Sequence, residues 1–272
     1  MPNPDTMRAD AALAARGLAP SRERARSLIE AGLATVNGLS IDKPARKVTQ
    51  ADILAVIGET HPYVSRGGLK LEKALTAFGA DVCGLVCVDV GASTGGFTDV
   101  LLRNGAKHVY AVDVGTAQLH ESLRGDPRVT SMERVNARTL TSSMFPEPPT
   151  LAVMDVSFIS IRLILPALFE TLGPVGRVIT LVKPQFEAGR QRVGKGGIVS
   201  KAETHRDVLK EIVEFAPGLG WRVAGLEFSP IAGGDGNIEF LADIVPEARC
   251  DAQLDEGVIE KSVKKAHAAQ LK

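Results

Sequence analysis

An apolar run, Val86 to Val90, breaks into a glycine-rich turn, Gly91-Ala-Ser-Thr-Gly-Gly96, and restarts at Phe97 with helical spacing. A strand that turns this tightly into a helix belongs at the carboxyl edge of an open α/β sheet, where the turn borders a ligand crevice. The rest of the chain agrees. Apolar runs at 86–90, 109–114, 129–132, 151–156, 177–182, 222–228 and 238–244 read as strands, and stretches such as 97–103, 160–172 and 202–216 read as helices between them. This alternation predicts an α/β domain with a seven-stranded, mostly parallel sheet covered on both faces, its last two strands forming an antiparallel edge. An amphipathic helix over 69–78, stopped by Gly79, leads into the domain, and a basic helix or tail follows within 251–272.

The first sixty residues differ in character. A helix from Arg8 to Arg16 closes at Gly17, and Ser21 caps a second helix that runs from Arg22 to a stop at Gly32. A short strand, Ala34-Thr-Val-Asn-Gly38, enters an Asn-Gly turn, and a basic stretch carries Lys43, Arg46 and Lys47. Lys+Arg and Asp+Glu stand at 32 each over the whole chain, so net charge says nothing for nucleic acid. Between Arg16 and Lys47, however, seven basic residues face three acidic ones. A solvated charged face and an RNA surface both satisfy that excess. Order favours RNA: Ser21-Arg22, Ala25, Leu28-Ile29, Gly32 and Val36-Asn-Gly38 fall in a pattern that resembles the ribosomal-protein-S-four-like domain. The resemblance implies a small α+β RNA-binding domain over 1–60, with Arg8, Arg16, Arg22, Arg26, Lys43, Arg46 and Lys47 on its RNA side. Residues 61–68, with Pro62 and the Gly67-Gly68 pair, read as an interdomain linker, and 69–250 as the larger domain.

The glycine-rich turn and Asp113, at the end of the next strand, fit either a dinucleotide or S-adenosylmethionine, since both need a carboxylate for ribose hydroxyls. Two details favour S-adenosylmethionine. Ser93 occupies the middle position, so the turn is not the G-x-G-x-x-G that cradles a diphosphate. Asp89 precedes the glycines, would repel a pyrophosphate, and suits the cationic ammonium of a methionine moiety. The expected cofactor set is therefore Asp89, Gly91, Ser93, Gly95, Gly96, Phe97 and Asp113.

Further polar residues fall at strand ends on the same crevice edge: Asp155 after an apolar run, Lys183 in Val182-Lys-Pro-Gln-Phe186, and Glu239 in Gly236-Asn-Ile-Glu-Phe240. Lys70 approaches from the entering helix. Together, "VSRGGLKL", "DVGASTGGFTDVLL", "DVSFIS", "LVKPQFE" and "GNIEF" resemble the TlyA (haemolysin A) family, whose catalytic domain is similar to FtsJ-type 2′-O-ribose methyltransferases. The resemblance implies a Rossmann-like S-adenosylmethionine-dependent fold and a catalytic tetrad of Lys70, Asp155, Lys183 and Glu239. It also implies ribosomal RNA as partner, with cytidines of both subunits as targets. In the family's linker tetrapeptide a basic residue and a tryptophan are expected; His61 and Tyr63 stand here instead.

A ribose hydroxyl is a poor nucleophile, so such an enzyme must align it and stabilise the charge developing on its oxygen. Lys183 is the candidate for that contact, either as a cation or, where its surroundings strip its proton, as a base; which lysine gives up a proton is left open. Asp155 and Glu239 would orient the lysines. The basic loop 189–197 reads equally as an RNA-contacting flap or as a solvated loop.

Other classes fare worse. Cys83, Cys87 and Cys250 form neither a disulfide framework nor a metal set, and the five histidines lack ligand spacing. No metal is expected. Without an apolar run of about 18 residues or a leader-like start, the expectation is a cytoplasmic protein, not a membrane pore. A non-catalytic ribosome-assembly binder is the stronger alternative, and the complete tetrad and cofactor turn weigh against it. Oligomeric state is left open.

Overall fold

The computed structural model describes residues 6–19, 21–30, 32–57, 61–233, 236–250 and 254–270. The chain forms two compact units, Met1–Thr60 and His61–Lys272.

In the first unit, β1 (Thr6–Arg8) precedes α1 (Ala9–Ala15) and α2 (Arg22–Glu30), followed by β2 (Ala34–Val36), β3 (Leu39–Ser40), β4 (Lys47–Thr49) and β5 (Leu54–Val56). Leu13, Ala25, Leu28 and Ile29 of the helices pack on Val36, Ile41, Val48 and Leu54. Asn37 and Gly38 both take positive φ, 51° and 80°, as a tight turn from β2 into β3 requires. Arg8, expected to open the first helix, instead ends β1, which pairs antiparallel with β4. The basic stretch containing Lys47 therefore enters a strand. β2 sits between β3 and β5 in a separate three-stranded sheet.

The second unit contains α3 (Gly68–Ala77), β6 (Val86–Val90), α4 (Gly96–Arg103), β7 (His108–Asp113), α5 (Glu121–Arg124), β8 (Val129–Glu133), β9 (Leu151–Met154) and α6 (Leu165–Leu172). β10 (Arg177–Val182), α7 (Pro184–Glu187), α8 (Ala202–Phe215), β11 (Trp221–Phe228), β12 (Phe240–Pro246) and α9 (Glu256–Gln270) complete it. The seven strands lie in the order β11-β12-β10-β9-β6-β7-β8. Pairs from β10 through β8 are parallel, and β12 runs antiparallel to both β10 and β11.

Side chains two apart along a strand share a face, and this sorts the core into two layers. Val86, Val88 and Val90 of β6, Ala152 and Met154 of β9, and Phe240, Ala242 and Ile244 of β12 meet α6, α8 and α9. Cys87, Leu151, Val153, Ile179 and Leu181 project to the other face and meet α3 and α4.

Three expectations need correction. The helix expected over 160–172 is a single tight turn, Ile161–Leu163, followed by α6, because Pro166 can sit only in the first turn of a helix. The last strand starts at Phe240 rather than 238, so Glu239 precedes it. Residues 61–68, expected to link domains, pack as part of the second unit: the buried Tyr63 donates its hydroxyl to Glu72 Oε1 (2.6 Å), and the Val64 N–H donates to Asp99 Oδ2 (2.9 Å). Burial and the Glu72 carboxylate push the Tyr63 hydroxyl up to about 12.

Within 251–272, α9 is a docked helix, with Ile259, Val263 and Ala266 buried; residues 251–253 and 271–272 lie outside the described residues. A chain of hydrogen bonds joins α9 to the interior. The fully buried His205 donates Nε2–H to Val199 O (3.0 Å), which leaves its Nδ1 to accept from His267 Nε2 (2.9 Å). Burial lowers His205 to about 4, so the ring is neutral as this pattern needs. The Val199 N–H in turn donates to Asn237 Oδ1 (2.9 Å).

Candidate active site

Chain order reverses at β6: β7 and β8 follow on one side, β9 and β10 on the other. In open α/β sheets the crevice beyond the carboxyl ends of the strands at such a point receives the ligand. β6 delivers Gly91 there, β9 delivers Asp155 and β10 delivers Lys183. β12 runs the other way, so its starting end contributes Glu239 to the same edge. Lys70 comes from the first turn of α3.

These four side chains form one line of alternating charge. Lys70 Nζ donates to Glu239 Oε2 at 2.6 Å and lies 3.7 Å from Asp155 Oδ2. Lys183 Nζ forms an ion pair with Asp155 Oδ1 at 2.5 Å, off the line of a hydrogen bond, and donates to Ser157 Oγ at 3.0 Å. Lys70, Lys183 and Glu239 are buried, and the Asp155 side chain keeps 21% of its surface. Two cations and two anions cancel, which is how buried charges are tolerated. Gly233 makes room for this line, since a Cβ there would stand 2.5 Å from Glu239 Oε1.

Two adjoining cavities open on the cluster and share Gly91, Ser93, Asp155 and Ser157. The larger, about 410 Å³, has Asp113, Asn136 and Phe158 among apolar walls of Val90, Val112, Val135, Ala137, Ile159 and Ile164. The smaller, about 210 Å³, is lined by Ser65, Gly67, Ala92, Thr94, Gly96, Phe97 and Lys183. A carboxylate beside apolar walls suits a nucleoside; the single cation, already paired with Asp155, does not suit a pyrophosphate.

Each expected cofactor residue has a defined place. Asp113 accepts the Ser93 N–H on Oδ2 (2.8 Å) and the Gly115 N–H on Oδ1 (2.7 Å), and each oxygen retains a second lone pair for a ligand. Ser93 itself holds φ +47°, a left-handed conformation this hydrogen bond helps to maintain. Gly91, at φ +79°, packs so closely that a Cβ would stand 2.6 Å from Asp155 O. Gly95 and Gly96 answer to packing within the protein: a Cβ at Gly95 would overlap Leu123, and one at Gly96 would overlap Ser65 Oγ. Asp89 departs furthest from expectation. It is fully buried and lines neither cavity, and its Oδ2 accepts from both the N–H (2.9 Å) and the hydroxyl (2.7 Å) of Thr98. It thereby satisfies a free amide at the start of α4, where negative charge is favoured. Burial raises its carboxyl to about 7.

The comparisons with known proteins converge on one family. Residues 63–243 match the FtsJ-like methyltransferase model, and residues 7–54 match the S4 domain model. The chain is 46% identical to the Mycobacterium tuberculosis 16S/23S rRNA (cytidine-2′-O)-methyltransferase TlyA, covering 86% of this chain and 88% of that one. It is 44% identical to Hemolysin A of Brachyspira hyodysenteriae over 88% of this chain and all of that one. A solved structure of a candidate hemolysin from Streptococcus thermophilus superposes with a TM-score of 0.77 at 48% identity, covering 97% of both chains. The chain belongs to the TlyA family of FtsJ-like methyltransferases.

Two residues at the crevice, Ser157 and Phe158, are not among the expected site residues, although both lie in the conspicuous Asp155-Val-Ser-Phe-Ile-Ser160 run. Ser157 touches Lys183 and lines both cavities. Phe158 has φ +65° and leaves 91% of its surface exposed, with its ring 5.2 Å from Phe186. An aromatic residue three positions after a strand-end aspartate, between the strand and the next helix, was the available signal.

The residues expected on an RNA side divide into two groups. Arg16 is used internally, donating to Asp52 O (2.6 Å) and Thr49 O (2.7 Å). Arg8 is held by Asp10 (2.8 Å), whose carboxyl its hydrogen bonds draw down to about 2, and Arg46 donates to Ser40 O (3.2 Å). Arg22 lies 3.4 Å from Asp10 and Arg26 2.8 Å from Glu30, both at the surface. The Lys43 and Lys47 side chains make no ion pair or hydrogen bond among the described residues. In the 189–197 loop, Arg192 turns inward to Glu211 (2.7 Å) and Ala188 O (2.7 Å), while Arg190 and Lys195 remain exposed. Among the described residues no helix is long and apolar enough to cross a membrane.

Proposed function

We propose that this protein transfers a methyl group from S-adenosylmethionine to ribose 2′-hydroxyls of cytidines in ribosomal RNA of both subunits, in the cytoplasm. The observation that carries this reading is the Glu239–Lys70–Asp155–Lys183 line, whose Asp155–Lys183 end borders two adjoining cavities, in a chain 46% identical to a 16S/23S rRNA (cytidine-2′-O)-methyltransferase.

When bound, S-adenosylmethionine supplies a methyl group made electrophilic by its sulfonium. Asp113 is suited to accept its ribose hydroxyls, the apolar walls of the larger cavity to hold its base, and the 91–97 turn to hold its amino-acid end. Lys183, at the wall of the smaller cavity, acts on the RNA 2′-oxygen and stabilises the negative charge that develops there. Asp155 holds Lys183 in place, and Glu239 does the same for Lys70. The Ser157 hydroxyl, which accepts from Lys183, fixes the direction of its remaining N–H bonds. Phe158 offers an exposed ring on which a base can stack, and the exposed arginines and lysines of the first unit are suited to phosphates.

The test is incubation of the purified protein with methyl-labelled S-adenosylmethionine and unmodified ribosomal subunits, followed by digestion to nucleosides. Label in 2′-O-methylcytidine is the expected result. Label on a base, or none in RNA, overturns the reading.

A further inference from the structure

Glu187 is a buried carboxyl outside the tetrad, its side chain only 1% exposed. Its Oε2 accepts from Ser160 Oγ at 2.6 Å, and its Oε1 accepts from the Ile161 N–H at 2.8 Å. Arg162 completes the enclosure, with Nε 3.4 Å from Oε2 and Nη2 donating to the Glu187 carbonyl at 3.2 Å.

The two segments joined here are those that present the reacting groups. Asp155 opens the first, five residues before Ser160; Lys183 opens the second, four before Glu187. They touch at three levels: the Asp155–Lys183 ion pair with Ser157 beside it, the Phe158–Phe186 ring contact, and Glu187 on Ser160 and Ile161. Between the outer two levels lies Phe158 at φ +65°, a conformation an aromatic residue keeps only when its surroundings impose it. The upper level is open to substrate. The Glu187 level is closed and is what remains to hold the segments in register.

We propose that Glu187 is a positioning residue for methyl transfer: its clasp on Ser160 and Ile161 holds Asp155, Ser157 and Lys183 in their working arrangement. The proposal rests on the methyltransferase reading above. The clasp needs one acceptor for the Ile161 N–H and one partner for the Ser160 hydroxyl, and it does not need a charge. Burial pushes the Glu187 carboxyl up, and a protonated carboxyl still meets both requirements, since its O–H can donate to Ser160 Oγ. Glutamine does the same through its amide, whereas alanine leaves the Ile161 N–H without an acceptor and the Ser160 hydroxyl without its carboxylate partner, while Arg162 keeps Glu211 and the residue-187 carbonyl.

Single-turnover methyl transfer to ribosomal subunits, S-adenosylmethionine affinity by calorimetry and melting temperature would be measured for wild type, Glu187→Ala and Glu187→Gln. We expect Glu187→Ala to lower the transfer rate at least tenfold while cofactor affinity stays within about threefold, and Glu187→Gln to recover most of the rate. An Ala variant with wild-type rate overturns the clasp, as does one whose rate, affinity and melting temperature fall together. Should Glu187→Ala fail to fold, Ser160→Ala removes one leg alone; a several-fold rate loss with unchanged affinity supports the proposal and an unchanged rate overturns it. Inactive wild type removes the functional reading itself, and with it the proposal, and so is told apart from failure of the clasp.

Discussion

Arg22 and Arg26 of the first unit and Lys70 and Lys183 of the second carry the same charge in opposite circumstances. Lys70 and Lys183 are buried and fixed between Glu239 and Asp155. Arg22 and Arg26 keep 60% and 65% of their side-chain surface and share it with Asp10 and Glu30. A buried pair has one geometry, and removing a partner leaves an uncompensated charge. The Arg26–Glu30 pair is exposed on both sides, and such a pair contributes about 1 kcal/mol or less, so a phosphate can replace its carboxylate at little cost. Asp10, though buried, keeps Arg8 when Arg22 turns to a phosphate. Fixed charge suits chemistry at one atom, and exchangeable charge suits a long anionic surface.

The sharpest way to break this contrast is Lys183→Ala. Losing one preorganised oxyanion-stabilising group costs about 10²–10³ in rate, and more if the same amine also takes the proton. Affinity for cofactor and RNA should stay near wild type, because the interaction matters only as charge develops. Lys183→Arg should not rescue, since guanidinium has a different shape and keeps its proton. Near-normal single-turnover transfer in the alanine variant would remove Lys183 from the mechanism.

Next in size is Asp113→Ala. A hydrogen bond to a charged group contributes roughly 1.5–3 kcal/mol, so cofactor affinity should fall tenfold or more by calorimetry. The loss of the Ser93 and Gly115 anchors should also make the 91–97 turn exchange its amide hydrogens faster. Unaltered affinity would put the cofactor elsewhere.

The exchangeable side is probed by Arg22→Glu with Arg26→Glu. Binding to ribosomal RNA should weaken, and the slope of log affinity against log salt should shrink by about 2, one unit for each arginine that no longer neutralises a phosphate. Cofactor affinity should not move. A wild-type salt slope would show that α2 faces away from the RNA.

The smallest effect is expected at Asp89. Its carboxyl is raised to about 7 in the fold against an ordinary value near 3.9 unfolded. The folded state therefore binds the proton more tightly, and this group's contribution to stability is lost as pH rises from about 4 to about 7. Asp89→Asn does not titrate. Its melting temperature relative to wild type should climb by a few degrees between pH 5 and pH 8, and a constant difference would contradict the assigned burial cost.

How much of this was legible depended on sequence distance. The turn after β6 and the strand-end positions of Asp155 and Lys183 could be read because periodicity and glycines mark them within ten residues. The S4-like pattern of α2 and β2 was legible for the same reason. Pairing of β1 with β4 was not, since Thr6-Met-Arg8 is short, partly polar and matched to residues forty positions away. Charge alone could not separate Arg16, which ties α1 to the 49–52 turn, from Arg22, which faces solvent. Asp89 looked like a ligand because its place beside the glycines was visible, whereas its burial behind Thr98 was not. Pro166 marks the break in the helix expected over 160–172, because proline fits only the first turn of a helix.

The hydrogen-bonded chain from Asn237 through Val199 and His205 to His267 has a consequence for synthesis. A translating ribosome releases the chain from its N-terminus, so the sheet strands that carry Asp155 and Lys183 emerge well before α9. Until α9 arrives, His205 Nδ1 lacks the donor that His267 supplies, and the ring that secures Val199 O is itself held on one side alone. The segment between Lys183 and Glu239 is therefore completed last, after every residue of the tetrad has already been made.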